Sequence, residues 1–150
     1  MIKKLFDTDD HLSGTILRLL LGLVFLPHGL QKLLGWFGGA GFDASLKWLS
    51  SSHSLPIIIA VLPIIAESIG ALALISGFFT RIAAFGIAVD MIVAVCLVHL
   101  KNGFFMNWGG KQPGEGFEYH ILAVAIALAL MIMGGGRWSV DKAIAEKLKT

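Results

Sequence analysis

The sequence predicts an all-α integral membrane protein, a four-helix bundle in a single domain over residues 1–150 with both termini in the cytoplasm. Three observations carry this expectation. Of 150 residues, 56% are hydrophobic and only 15% charged, and the mean hydropathy is +0.80, more apolar than a soluble domain of this length requires. The apolar residues fall into four runs, each near the roughly 20 residues that cross a bilayer at 1.5 Å rise per residue. The runs are separated by stretches rich in glycine, serine and aromatic residues, and the basic residues divide unevenly between the two sides.

The first span, residues 14–34, is organised by its polar residues. Arg18, Gly22, Phe25, Gly29 and Lys32 alternate four and three apart, so they share one helical stripe, with His28 on its shoulder. An arginine facing hydrocarbon costs about 3 to about 15 kcal/mol, so this stripe is expected to face inward, towards acids on other helices. Pro27 removes a ladder hydrogen bond and predicts a bend just before His28. Lys3 and Lys4 precede the run as in a signal peptide. Asp7, Asp9 and Asp10 intervene, however, and no small-residue cleavage pattern follows, so the span is expected to be uncleaved.

Residues 36–55 form a polar, aromatic loop in which Asp43 is a candidate N-cap for a short surface helix, Ala44 to Leu49. The loop serves either as a lid over the bundle or as a plain interfacial connection. The second span, 55–76, has one ionisable residue, Glu67, a turn after Pro63. Glu67, Gly70, Leu74 and Gly77 lie on one side and allow close helix approach.

A tight connection from Gly77 to Arg81 makes the second and third spans antiparallel neighbours. The third span, 81–100, carries Asp90 near its middle and Cys96 and His99 towards its end. Asp90 and His99 are nine residues apart, so a straight helix points them to opposite sides. Cys96, the single cysteine, excludes an internal disulfide and suits a small core position. The fourth span, 117–135, opens with Glu118, Tyr119 and His120 and ends at Gly134 to Gly136. Beyond Trp138, the spacing of Val140, Ile144 and Leu148 among lysines predicts an amphipathic helix on the membrane surface.

Orientation follows from charge. Lys3, Lys4, Arg81, Arg137, Lys142, Lys147 and Lys149 fall on the side of the termini, against Lys32, Lys47, Lys101 and Lys111 on the other. That bias places the termini in the cytoplasm. Trp36, Trp48 and Trp108 then mark the outer interface and Trp138 the inner one. The net charge of +2 is too small and dispersed for a nucleic-acid partner. No Cys-x-x-Cys, phosphate-binding glycine loop, Gly-x-Ser-x-Gly or His-Glu-x-x-His is present.

Counting rise along each helix sorts the polar groups into two layers. The inner layer is Arg18 with Glu67 or Asp90, either a structural ion pair that fixes helix docking or a proton relay or anchor for a ligand head group. Asp90 has a second option in Ser68 or a backbone carbonyl. The outer layer is His28, His99, Glu118 and His120, with Lys32 at its mouth. Three readings stand there: a transition-metal site built on His28, His99 and His120; a quinone site in which these groups bond a carbonyl and pass protons; or histidines at a wet interface. His11 and His53 have the character of loop residues.

The ordered set Arg18, Gly22, Phe25, His28-Gly29, Lys32-Leu33, Gly35, Glu67-Ser68-Ile69-Gly70, Gly77, Thr80-Arg81, Asn102-Gly103-Phe104-Phe105, Gly116 and Glu118-Tyr119 resembles the DoxX family of small bacterial membrane proteins, over about residues 13 to 140. The resemblance implies a multi-pass protein of the bacterial cytoplasmic membrane. It also implies a link to thiosulfate and quinone oxidoreduction as a small subunit, or to membrane complexes of oxidative and thiol stress. Carried over by position, Arg18, His28, Lys32, Glu67, Arg81, Glu118 and Tyr119 are the matching polar residues, while Asp90 and His120 rest on local reasoning alone.

The expected function is that of a small subunit or accessory of a quinone- or thiol-linked membrane redox complex. His28, Lys32, His99, Glu118, Tyr119 and His120 would hold the cofactor, a quinone or a transition metal. No catalytic residue is assigned. Without haem-attachment or iron–sulfur spacing, redox chemistry needs a bound cofactor, a partner subunit or a homo-oligomer within the lipid bilayer. The alternative is a non-catalytic membrane scaffold or a small-solute carrier whose charges serve folding or transport.

Overall fold

A computed structural model of the chain describes residues 5–52 and 54–148; Lys3, Lys4, His53 and Lys149 lie outside the described residues. Among the described residues the longer helices, besides a 3-10 turn at Trp36–Gly38, are α1 (Leu12–Leu34), α2 (Phe42–Ser52), α3 (Ile57–Ser76), α4 (Thr80–Asn102), α5 (Glu118–Met133) and α6 (Val140–Lys147). There is no strand among the described residues. Helices α1, α3 and α4 are long and apolar enough to cross a membrane. Helix α5 has 16 residues, about 24 Å, which is apolar but shorter than a full crossing.

The stripe on α1 faces inward as its spacing predicts: Thr15, Arg18, Gly22, Phe25 and Gly29 are buried, while Ile16, Leu20, Leu23 and Val24 are exposed to the surroundings. The helix continues unbroken through Pro27 and ends at Gly35, whose φ of 72° lets its N–H bond the Leu30 carbonyl. Around the bundle, α1 packs on α3 and α5, and α4 packs on α3 and α5. The shared core is Leu21, Phe25, Leu74, Ile87, Met91 and Leu130 with small alanines between them. Large apolar side chains such as Ile58 and Ile132 point outward, an arrangement suited to lipid.

Two local departures from the α-helix sit inside the long spans. Ala66–Gly70 in α3 and Val95–His99 in α4 each form a π-turn, a rare widening often found at functional sites.

The expected ion pair of Arg18 with Glu67 or Asp90 does not form. Gly29 of α1 abuts Glu67, so a Cβ there would lie 2.3 Å from the Glu67 carbonyl oxygen. Arg18 is eleven residues below Gly29, about 16 Å along the axis, beyond the reach of its side chain. Its guanidinium is instead spent on carbonyls at the end of α3 and in the loop after α5. Nε donates to Gly135 at 2.8 Å, Nη1 to Leu74 at 3.1 Å and also to Ile75, and Nη2 to Trp138 at 3.0 Å. Leu74 and Ile75 lie in the last turn of α3, where a cation is favoured.

Arg81 repeats the arrangement at the end of α5, bonding Met131, Ile132 at 2.8 Å and the Asp7 carbonyl. Helix α6 packs its first turn into the bundle end. Asp141, 1% exposed, accepts from the N–H groups of Phe79 at 2.7 Å and Thr80 at 2.8 Å, capping α4. Similarly, α2 is longer than its sequence suggests, and Asp43 lies in its first turn instead of at its cap.

Candidate functional site

A cavity of about 410 Å³ opens at the end of the bundle away from the termini, between α1, α3, α4 and α5. That volume lies within the range of small-molecule sites. Phe25, His28 and Lys32 enter from α1, Pro63 and Glu67 from α3, Asp90, Met91 and His99 from α4, and Tyr119 and His120 from α5; Trp48 and Leu49 of α2 close one side. The sequence-predicted outer layer is therefore brought together, apart from Glu118.

Lys32 is the partner of Glu67. The two side chains form an ion pair with Glu67 only 7% exposed and Lys32 29%. The Glu67 backbone is held at this level by its π-turn against Gly29, and the Ser68 hydroxyl donates one turn back to the Ile64 carbonyl at 2.5 Å. Asp90 lines the same cavity as Glu67, and no donor reaches its buried Oδ2. Its expected alternative, Ser68, is thus committed elsewhere.

Asp90 and His99 line the same cavity, contrary to the expectation from a straight helix. The π-turn at Val95–His99 explains the difference. It closes on the fifth residue instead of the fourth, so it absorbs about one extra residue and turns His99 back by roughly a quarter turn.

Aromatic rings form a continuous wall. Phe25 and Tyr119 have centroids 6.2 Å apart, Tyr119 and His120 5.5 Å, His120 and His99 4.2 Å, and Phe25 and His28 6.4 Å. His28 itself stands at the exposed edge. His99 Nδ1 lies 2.9 Å from the Glu115 carbonyl oxygen, an acceptor only, so Nδ1 carries the hydrogen when this imidazole is neutral. Two further polar atoms of the wall, Tyr119 Oη and His120 Nδ1, are buried without a hydrogen-bond partner.

Among the described residues no three His, Cys, Asp or Glu side chains are grouped to hold an ion; His99 and His120 meet ring to ring at a 44° tilt, and His28 lies beside Phe25. Glu118 is not part of the cavity wall: it accepts from the Met106 N–H at 2.8 Å and so fastens the connecting segment before α5. Sequence reasoning missed Glu115. This residue borders the cavity, its carboxylate accepts from the Asn107 N–H at 2.6 Å, and its carbonyl takes both His99 and Asn102. Its only signal was an acid isolated among glycines.

Comparison with known proteins agrees with the membrane architecture. The family model described as DoxX matches residues 14–100. An uncharacterized membrane protein of Mycobacterium tuberculosis is 28% identical, covering 96% of this chain and 88% of that one. A protein of Bacillus subtilis named "Putative oxidoreductase CatD" is 33% identical, covering 78% of each chain. An uncharacterized protein of Haemophilus influenzae is 27% identical over 87% of this chain and 90% of its own. No solved structure matches.

Proposed function

The chain belongs to the DoxX family, and from that premise we propose that it is a small component of a redox assembly in the bacterial cytoplasmic membrane, binding a quinone-type ring in the cavity beside Glu67. The observation that carries this reading is the pairing of aromatic walls with buried polar atoms that have no partner. Tyr119 Oη and His120 Nδ1 are such atoms, on residues bordering one cavity. A flat ring bearing oxygen substituents suits both features at once, since it stacks on aromatic faces and hydrogen-bonds at its edges. A single metal ion does not fit, because three ligating side chains are not grouped.

Such a ring would supply two-electron redox chemistry when bound. The chain's own residues position it: Phe25 and Tyr119 offer ring faces, His120 an edge contact, and Lys32 with Glu67 fixed charge at one end. A relative named as an oxidoreductase supports a redox setting for the family fold. The scaffold reading retains support for one part of the molecule, since Arg18 and Arg81 serve helix ends.

The test is extraction. Full-length protein purified with native lipid is expected to contain a ring-bearing lipid in near-stoichiometric amount, and Tyr119→Phe with His120→Ala to lower its content. Protein that carries none, and takes none up when it is added, refutes the reading.

A further inference from the structure

The cavity wall is polar and aromatic in one part and purely hydrocarbon in another, where Leu55, Pro63, Val93 and Leu97 line it. Pro63 stands one turn before Glu67, and Val93 and Leu97 one and two turns beyond Asp90, so this apolar part lies nearer the end away from the termini. Val93 and Leu97 border the cavity and are also 38% and 40% exposed. A side chain that is both cavity wall and outer surface marks an edge where the cavity opens. The two helices part towards this edge. They join at the 77–79 turn, and their packing is carried by Leu62–Ser76 against Thr80–Ala94, whereas the first turn of α3, Ile57–Ala60, packs on α2. Pro63 follows Ile57 by six residues and Leu97 precedes Asn102 by five, about 9 Å and about 8 Å inside the two spans. Ile59, Leu62 and Leu100, on the same stretches, are exposed apolar side chains. The opening therefore continues the lipid-facing surface of α3 and α4.

We infer that the ligand is an amphiphile dissolved in the bilayer, which enters sideways between α3 and α4 and leaves its hydrocarbon tail in the opening framed by Pro63, Val93 and Leu97. This inference rests on the cavity being a ring-binding site. It adds the tail, the seat of the tail and the residues that select for it. A tail resting there passes from acyl chains to apolar side chains, so moving it out of the lipid forfeits no hydrophobic free energy. The polar groups of the ring meanwhile leave hydrocarbon for Tyr119 Oη and His120 Nδ1, which have no other partner. A ligand whose chain bears a charge is rejected at the same opening, because its charge would sit among acyl chains.

Photolabelling of full-length protein in nanodiscs tests this. The probe is a trimethyl-benzoquinone whose decyl chain carries a diazirine at its middle, and the competitor is the plain trimethyl-decyl-benzoquinone. Every ring position is substituted, so neither adds to the exposed Cys96 thiol. Peptide mapping is expected to find labelling that the competitor removes on residues 59–63 and 93–97. Leu97→Trp, which fills the opening from an exposed position, is expected to weaken saturable uptake of the plain quinone about tenfold, as overpacking a filled site does. Ile92→Trp, exposed on α4 but outside the cavity wall, is expected to leave uptake unchanged; equal uptake by the two variants overturns the tail seat. Uptake is read by equilibrium dialysis against empty nanodiscs. Saturable uptake by the unaltered protein with competitor-sensitive labelling absent from 59–63 and 93–97, or found on α2 or 103–117 instead, overturns the sideways seat and leaves the ring site standing. No saturable uptake overturns both.

Discussion

Gly29 and Glu67 touch backbone to backbone, with the glycine of α1 set so closely that a Cβ would lie 2.3 Å from the Glu67 carbonyl oxygen and 2.5 Å from the Ser68 nitrogen. No side chain can be accommodated there without parting the helices. Gly29→Ala is therefore expected to destabilise the bundle by about 1–3 kcal/mol, the usual cost of overpacking. It should also move Glu67 away from Lys32. The midpoint of unfolding in mixed detergent measures the first effect, and lost ring binding the second; an unchanged midpoint contradicts the contact.

The Lys32–Glu67 pair is far more buried on its acidic side. Lys32→Met leaves a carboxylate in a low-dielectric cavity without its cation and is expected to cost about 2–4 kcal/mol. Glu67→Gln in the same background should restore part of the loss, so that the double variant is less damaged than the two single losses added together. Strict additivity in that cycle would mean that the pair is not coupled.

Arg18 gives its hydrogens to carbonyls at the end of α3 and in the 135–138 loop. Arg18→Ala strands these groups and is expected to destabilise the fold by about 3 kcal/mol or more. Arg18→Lys should recover only part, because an ammonium cannot reproduce the planar fork. Equal stability of Lys and Arg forms, by the same unfolding assay, would reduce the role to charge alone.

Asp141 caps α4 from a different helix, bonding the Phe79 and Thr80 N–H groups. Asp141→Ala is expected to cost about 1–2 kcal/mol, as for loss of an N-cap, and to release α6. Faster proteolysis of the C-terminal segment at unchanged helicity is the expected readout; unchanged cleavage contradicts the docking.

The Asp10 carboxyl titrates below the ordinary carboxylate range, chiefly because Lys142 donates to it at 2.5 Å, with Arg137 adding its charge. Since the folded value is depressed, its stabilisation is present above the unfolded value near 4 and is lost as pH falls through the folded one. The residue is exposed, so the effect is small and fades with salt. A carboxyl-carbon NMR titration should give a midpoint below that of a free aspartate, and a midpoint at or above it contradicts the contact.

The inward stripe of α1, the long apolar helices and the gathering of His28, Lys32, His99 and His120 at one end were legible in the sequence, because each follows from periodicity and rise along its own helix, whereas Tyr119 came from the family resemblance. Partner choice was not. Whether Glu67 meets Arg18 or Lys32 depends on the register between α1 and α3, which the Gly29 contact fixes and no one-helix count contains. The shared face of Asp90 and His99 was hidden for another reason: the residues of a π-turn look like those of any apolar helix. Glu118 misled because its partner is a backbone N–H, which carries no residue signature.

The π-turn at Val95–His99 has a consequence for comparing related chains. A homologue whose corresponding helix is regular presents the same wall with one residue fewer between Ala94 and His99. Aligned without a gap, the position matched to His99 would fall on another side of the helix. Equivalence across the family at this wall is therefore a matter of angular position, and a one-residue gap inside an apolar helix marks geometry kept.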